Sequence, residues 1–138
     1  MRNKDIPLKK VQKAFADAIK RRDNRCMIRT SPCFGALECS HFYTQGANPS
    51  LIFYPPNAYA QCAKHHREHH QVSERPYVMF MQSCHSDDLE YMRKARSGYI
   101  KYTDELKAEI IRLCNADDLE GLKKLIESEI KISKLPPP

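Results

Sequence analysis

Along residues 8–22, Leu8, Val11, Phe15, Ala18 and Ile19 recur with helical spacing, continued by Arg22, while Lys9, Lys10, Lys13, Lys20 and Arg21 fall on other faces. This predicts an N-terminal helix capped by Asp5 or a neighbour, with Pro7 in its first turn. From Arg25 to Gln61 the helical period is lost. Pro32, Gly35, Gly46, Pro49, Pro55 and Pro56 punctuate two strand-like runs, Leu37–Tyr43 and Ser50–Tyr54, which predict a Cys-bearing loop followed by a β-hairpin. Helical spacing returns around Cys62–Gln71, breaks near Ser73, and resumes with Pro76 in a first turn and Tyr77, Phe80, Met81 and Cys84 inward. A helix over Asp87 to Arg96 would open on an Asp87-x-x-Glu90 capping box and stop at Gly98. Thr103 can cap a helix with Leu106, Ile110, Leu113 and Cys114 as its apolar stripe, and Leu119, Leu122, Ile126 and Ile130 repeat the pattern in the last one. The Asp-Asp-Leu-Glu segments at 87–90 and 117–120 both sit at helix starts, where acids complement the macrodipole, so they are coincidence rather than a repeat.

With 138 residues, 41% hydrophobic and 29% charged, the chain suits a single small soluble unit. Its formal charge is +6, and residues 1–29 hold ten basic side chains against three acidic ones. Such clustering suits a phosphate-rich partner, and Lys9, Lys10, Lys13, Lys20, Arg21, Arg22 and Arg25 are the candidates for DNA backbone contacts. The opening residues have no apolar signal region. Pro, Asn and Gln interrupt the longest uncharged stretch, Cys39–Ala63, so a membrane span is excluded and a reducing cytoplasm is expected. In that compartment the six Cys are metal ligands or small core residues rather than a disulfide framework, with Cys84 and Cys114 assigned to packing and His85 exposed.

Four of those Cys fall between residues 26 and 62, and the histidine run follows at once. Cys26-x6-Cys33 and Cys62-x2-His65 are two ligand pairs that could close a tetrahedral zinc site; Cys39 competes with Cys33, which is preferred because Cys39 shares a strand face with His41. His66 and His70, spaced i and i+4, project from one helical face and can grip one ion. His65 and His69 share that spacing. If His65 belongs to zinc, the second pair is His66 and His70. His41 precedes Asn57 by sixteen residues, and His66 follows nine later, which together suggest a hairpin-plus-helix metal site. Tyr43, Tyr54 and Tyr59 fit either base stacking or the core.

At Cys39-Ser40-His41-Phe42-Tyr43, Leu51-Ile52-Phe53, Asn57 and Gln61-Cys62-Ala63-Lys64-His65-His66 the chain resembles the HNH, or ββα-metal, endonuclease superfamily, and within it the phage recombination nucleases of the NinG/Rap type. The resemblance covers about residues 25–82. It implies an α+β fold with a ββα-metal core and a structural zinc site, flanked by the basic helix and by C-terminal helices. In this division residues 1–24 are the helix, 25–82 the zinc-stabilised nuclease core and 83–138 the helical remainder, all one compact unit. It also implies His41 as general base, Asn57 as the residue that orients it, His66 and His70 as catalytic metal ligands, and Cys62 with His65 as half of the zinc site. Three positions depart from the family pattern. Ser40 stands where many members have a ligating carboxylate or His, Arg29 where the second Cys of a Cys-x2-Cys would be, and Ile52 where the related nucleases have Arg.

Phosphodiester cleavage needs an activated water, an ion to offset charge on the phosphoryl group, and help for the leaving oxygen. Neutral His41 can take the proton near pH 7 while Asn57 fixes its ring directly or through the local backbone. No Asp or Glu occurs between Cys39 and Arg67, so a site built only of carboxylates is excluded from this segment. Imidazole ligands favour Mn, Ni or Zn binding even where Mg supports turnover, and the catalytic ion expected is Mg or Mn, with Ni or Zn as alternatives. The function expected is a metal-dependent DNA endonuclease acting on branched recombination intermediates of a phage, such as Holliday junctions or D-loops. A homodimer with its seam on the apolar C-terminal helices would suit paired nicks. The alternatives are a non-selective nicking or packaging-associated HNH nuclease, and a non-catalytic zinc-stabilised module that binds nucleic acid.

Overall fold

A computed structural model describes residues 5–132. The first helix, α1 (Leu8–Asp23), buries Val11, Phe15, Ala18 and Ile19, as its periodicity dictates, and ends at Asn24 in the left-handed conformation. No side chain caps its start. Asp5 does not do so: its backbone N–H donates to Asp104 Oδ2 at 3.0 Å, which ties the chain start to a later helix.

The hairpin is an antiparallel pair, β1 (Leu37–His41) and β2 (Ala58–Cys62), running in register from Leu37 opposite Cys62 to His41 opposite Ala58. This corrects the second strand. Residues 50–54 form no strand: Pro49–Leu51 and Pro55–Asn57 are two 3₁₀ turns, and Leu51, Ile52, Phe53 and Tyr54 are all buried. Prolines on both sides hold this apolar run as a plug in the core, where it has no ladder partner. The true second strand is buried at all five positions and therefore shows no polar alternation.

Helix α2 (Ala63–Gln71) follows β2 directly, so the order strand, strand, helix is present. Next come α3 (Arg75–Cys84) and α4 (Ser86–Ala95). In α3, Tyr77 and Met81 point inward as expected, whereas Cys84 at the helix end is exposed and His85 is half-buried against Tyr59 and Phe80, the reverse of the expectation for that pair. The capping box of α4 does not form; Glu90 instead pairs with Arg93. Thr103 does cap α5 (Asp104–Asn115), accepting from Leu106 N–H at 3.1 Å, and Asp118 caps α6 (Leu119–Glu129). Leu106, Ile110, Leu113, Cys114, Leu122, Ile126 and Ile130 are buried within the chain, and Leu119 is half-buried. The apolar stripe proposed as a dimer seam is thus consumed internally against α1 and the plug.

Buried hydroxyls tie the later helices to the hairpin region: Tyr77 donates to the Ser40 carbonyl at 2.6 Å, Ser50 to that of Ala95 at 2.8 Å, and Tyr54 to the Glu127 carboxylate at 2.6 Å. Among the described residues, no helix is long and apolar enough to cross a membrane.

Candidate metal centre and the histidines beside it

Cys62, the last residue of β2, is also the N-cap of α2: its Sγ accepts from His65 N–H at 3.4 Å. One helical turn then returns the His65 ring to the same sulfur, with Nδ1 3.0 Å from Cys62 Sγ. The loop before β1 delivers the other two thiols, Cys26 Sγ at 3.6 Å and Cys33 Sγ at 3.7 Å from that nitrogen. All four ligand atoms lie within 4.8 Å of one another. A zinc tetrahedron with Zn–S near 2.3 Å has sulfur–sulfur edges of about 3.8 Å, so the cluster could hold a zinc ion. Cys33 completes it, and Cys39 lies elsewhere.

The loop is moulded to this end. Ala63 N–H donates to the Ala36 carbonyl at 2.9 Å, Lys64 N–H to that of Phe34 at 3.0 Å, and Met27 N–H to that of Ala60 at 2.8 Å. Gly35 has φ +92°, and a Cβ there would meet Ala63 Cβ at 2.7 Å, so only glycine lets the loop approach the helix start. The far nitrogen of the His65 ring, Nε2, lies 3.0 Å from Ser31 Oγ, which in turn accepts from Lys64 Nζ at 2.8 Å. A second partner of this kind orients a ligating imidazole. Burial opposes ionisation of Cys62, but the N–H groups of His65 and Phe34 and the Cys33 thiol outweigh it and take the thiol down to about 6. Cys33, beside it, is pushed up to about 11 by desolvation and by its neighbouring sulfurs.

On the exposed side of α2 the His66 and His70 rings converge, with their Nε2 atoms 3.1 Å apart. Two nitrogens each about 2.1 Å from one ion are separated by roughly 3.0–3.4 Å, so this pair fits a shared ion. Glu38 holds the other end of His66, its Oε1 2.9 Å from Nδ1. Glu38 escapes a reading of the sequence because it lies directly before the carboxylate-free stretch from Cys39 to Arg67. His69 sits differently: its ring packs at an incline against Tyr77, with centroids 4.9 Å apart, and its Nδ1 is buried without a partner. The spacing shared by His65/His69 and His66/His70 therefore resolves with His65 at the thiols and His66/His70 as a separate pair.

His41 ends β1. Alternation places it with Cys39 on the face towards α1, and Glu38 on the face towards α2. Its ring stacks on Phe15 with centroids 5.8 Å apart, and Nε2 lies 2.8 Å from the Ile52 carbonyl. A carbonyl only accepts, so Nε2 carries the hydrogen and Nδ1 keeps its lone pair. Burial lowers the His41 pKa below 6.5, the Ile52 carbonyl partly offsets this, and the neighbouring His66 lowers it further. Cys39, Gln12 and Gln45 share with His41 a cavity of about 180 Å³. Burial pushes the Cys39 thiol up to about 12, which keeps it protonated.

The Asn57 side chain makes no hydrogen bond to His41. It is fully buried, and its Nδ2 donates to the carbonyls of Tyr43 at 3.0 Å and Leu51 at 3.1 Å, the latter one residue before the carbonyl that holds His41. Asn57 and His41 thus bond neighbouring carbonyls of the same turn, those of Leu51 and Ile52.

The basic residues of α1 divide. Arg22 is structural: it donates to the Ala58 and Pro55 carbonyls at 2.6 and 3.2 Å and lies 4.6 Å over the Tyr59 ring. Arg21 pairs with Asp117, and both Lys13 and Lys20 with Asp17. Lys9, Lys10 and Arg25 are exposed. Tyr54 and Tyr59 are core, and Tyr43 lies under Arg96. The chain matches no protein-family model, no curated protein and no solved structure.

Proposed function

We propose that the protein is a metal-dependent DNA endonuclease of the HNH type that hydrolyses phosphodiester bonds, with branched recombination intermediates of a phage, Holliday junctions or D-loops, as its substrates. The observation that carries this reading is the state of His41: a half-buried imidazole with Nε2–H committed to the Ile52 carbonyl, and a pKa lowered by burial. Such a ring is neutral at pH 7 and offers Nδ1 to a water. His41 would take the proton from that water as its oxygen attacks phosphorus. The Phe15 ring fixes the imidazole plane, and Asn57 holds the turn whose carbonyl selects the tautomer.

His66 and His70, near enough for His66 to influence His41 electrostatically although Glu38 and His41 leave β1 on opposite faces, are the residues that would hold Mg or Mn, with Ni or Zn as alternatives; the chemistry such an ion would supply is charge neutralisation at the phosphoryl group and at the departing 3′ oxygen. The products would carry 5′-phosphate and 3′-hydroxyl ends. Lys9, Lys10 and Arg25, unencumbered by the pairs that occupy Arg21 and Arg22, are the side chains of the basic segment best placed to meet backbone phosphate. A homodimer is the simplest way to nick a junction twice, and its seam would lie outside the buried stripe of α5 and α6.

A second reading is favoured by one fact: among the described residues, the cysteine-rich cluster is the only group of three or more metal-type side chains whose ligand atoms converge. A zinc-stabilised module that binds nucleic acid without cutting it would need nothing else. Labelled four-way junction, matched duplex and single-stranded DNA, incubated with Mg or Mn, separate these readings. Junction cleavage supports the recombination nuclease, equal cutting of junction and duplex supports a non-selective nicking or packaging-associated enzyme, and binding without cleavage supports the module.

A further inference from the structure

Glu38 has one directed contact, to Nδ1 of His66, and its carboxylate is half exposed. A contact so exposed contributes little to stability, so the fold does not account for its geometry. The contact does determine where the hydrogen of the His66 ring sits. A carboxylate accepts, so Nδ1 carries the hydrogen and the lone pair falls on Nε2, the atom that faces Nε2 of His70 at 3.1 Å. Without an acceptor on Nδ1, a neutral imidazole is free to place its hydrogen on Nε2, which would turn an N–H rather than a lone pair into the space between the two rings. Glu38 meets Nδ1, at the opposite end of the ring from that space, and so does not reach it as a third ligand.

We infer that Glu38 is a positioning residue for the His66/His70 pair: it fixes the His66 tautomer and ring plane so that both Nε2 atoms can ligate one divalent ion. This rests on the reading of that pair as an ion site. The strand supplies the orienting group and the helix the ligands, so β1 and α2 must be docked before the pair can ligate. Outer partners of this type typically change metal affinity by about 10- to 100-fold.

Nickel titrated into the zinc-loaded chain tests the inference without reference to cleavage. Wild type should bind one ion beyond the zinc, His66→Ala should bind none there, and Glu38→Ala should bind about 10- to 100-fold more weakly while its thermal midpoint stays that of wild type. Glu38→Gln retains an acceptor oxygen and should recover part of the affinity. In the nickel-free protein, nitrogen chemical shifts should report the Nδ1–H tautomer of His66 in wild type and its loss in Glu38→Ala. Unchanged nickel affinity and an unchanged tautomer in Glu38→Ala would overturn the inference. If wild type cuts DNA and binds the ion while Glu38→Ala matches it, the inference alone falls; if wild type neither binds the second ion nor cuts, the nuclease reading falls with it.

Discussion

Asn57 reaches back along the chain to hold both backbone polar groups of Tyr43, accepting from its N–H at 2.8 Å and donating to its carbonyl at 3.0 Å. This clamp closes the long connection between β1 and β2, and a third bond, to Leu51, anchors the turn that carries the Ile52 carbonyl. Replacing Asn57 with Ala strands the partly buried N–H and carbonyl of Tyr43 and the buried carbonyl of Leu51, with a cost of about 3 kcal/mol. Asn57→Asp should be at least as damaging, because a carboxylate would face the two carbonyls that the amide now satisfies. Urea unfolding of the zinc-loaded proteins checks both, and equal midpoints for wild type and Asn57→Ala would contradict the clamp.

The thiols should behave as two sets. Wild type should retain one zinc per chain after dialysis, Cys62→Ser should lose both metal and cooperative unfolding, and Cys39→Ser should keep both, because Cys39 lines the His41 cavity and not the cluster. Zinc content by atomic emission and a thermal melt of each variant read this out. Zinc lost from Cys39→Ser would contradict the assignment of Cys33 as the fourth ligand.

Much of this centre was legible in the sequence because its ligands are close in the chain and rare in type. Cys62 and His65 are three residues apart at a strand-to-helix junction, where cap geometry forces them together. The register of the helix was not legible: His65 and His69 match His66 and His70 in spacing, and only the position of the loop thiols separates them. Glu38 was invisible for a different reason, since its partner is 28 residues away and the pairing depends on how α2 docks on the hairpin. The second strand was misplaced because Leu51–Tyr54 is more hydrophobic than Ala58–Cys62, and a buried plug reads like a strand when nothing records the missing ladder.

The basic face of α1 should split under mutation. Arg22→Ala removes a side chain that binds two carbonyls and covers Tyr59, so it should cost about 2 kcal/mol in stability. Lys9→Ala and Lys10→Ala should leave stability within about 0.5 kcal/mol of wild type. If these lysines meet phosphate, each should reduce the slope of log affinity against log salt by about one. Chemical denaturation and DNA binding at several salt concentrations measure the two effects separately. A salt slope lowered by Arg22→Ala alone would reverse the assignment.

Acid should weaken the fold through half-buried imidazoles. The pKa values of His41 and His85 are lowered from 6.5 chiefly by burial, so the unfolded chain binds more protons than the folded one in this range. Their contribution is complete above pH 6.5 and is lost as pH falls from there through the lowered folded values. Urea midpoints measured downward from pH 7.5 should decline, and His41→Gln should decline less steeply than wild type. A slope unchanged by His41→Gln would show that His41 keeps an ordinary affinity for protons.

The central claim is that His41 is the general base of a DNA endonuclease, and single-turnover cleavage of labelled junction DNA by zinc-loaded protein with Mn tests it most directly. Wild type should cut, with an acid limb below pH 6.5, and His41→Ala should bind the same DNA with unchanged affinity while cutting at least about 100-fold more slowly. Equal cleavage by both proteins, or binding with no cleavage by either, would contradict it.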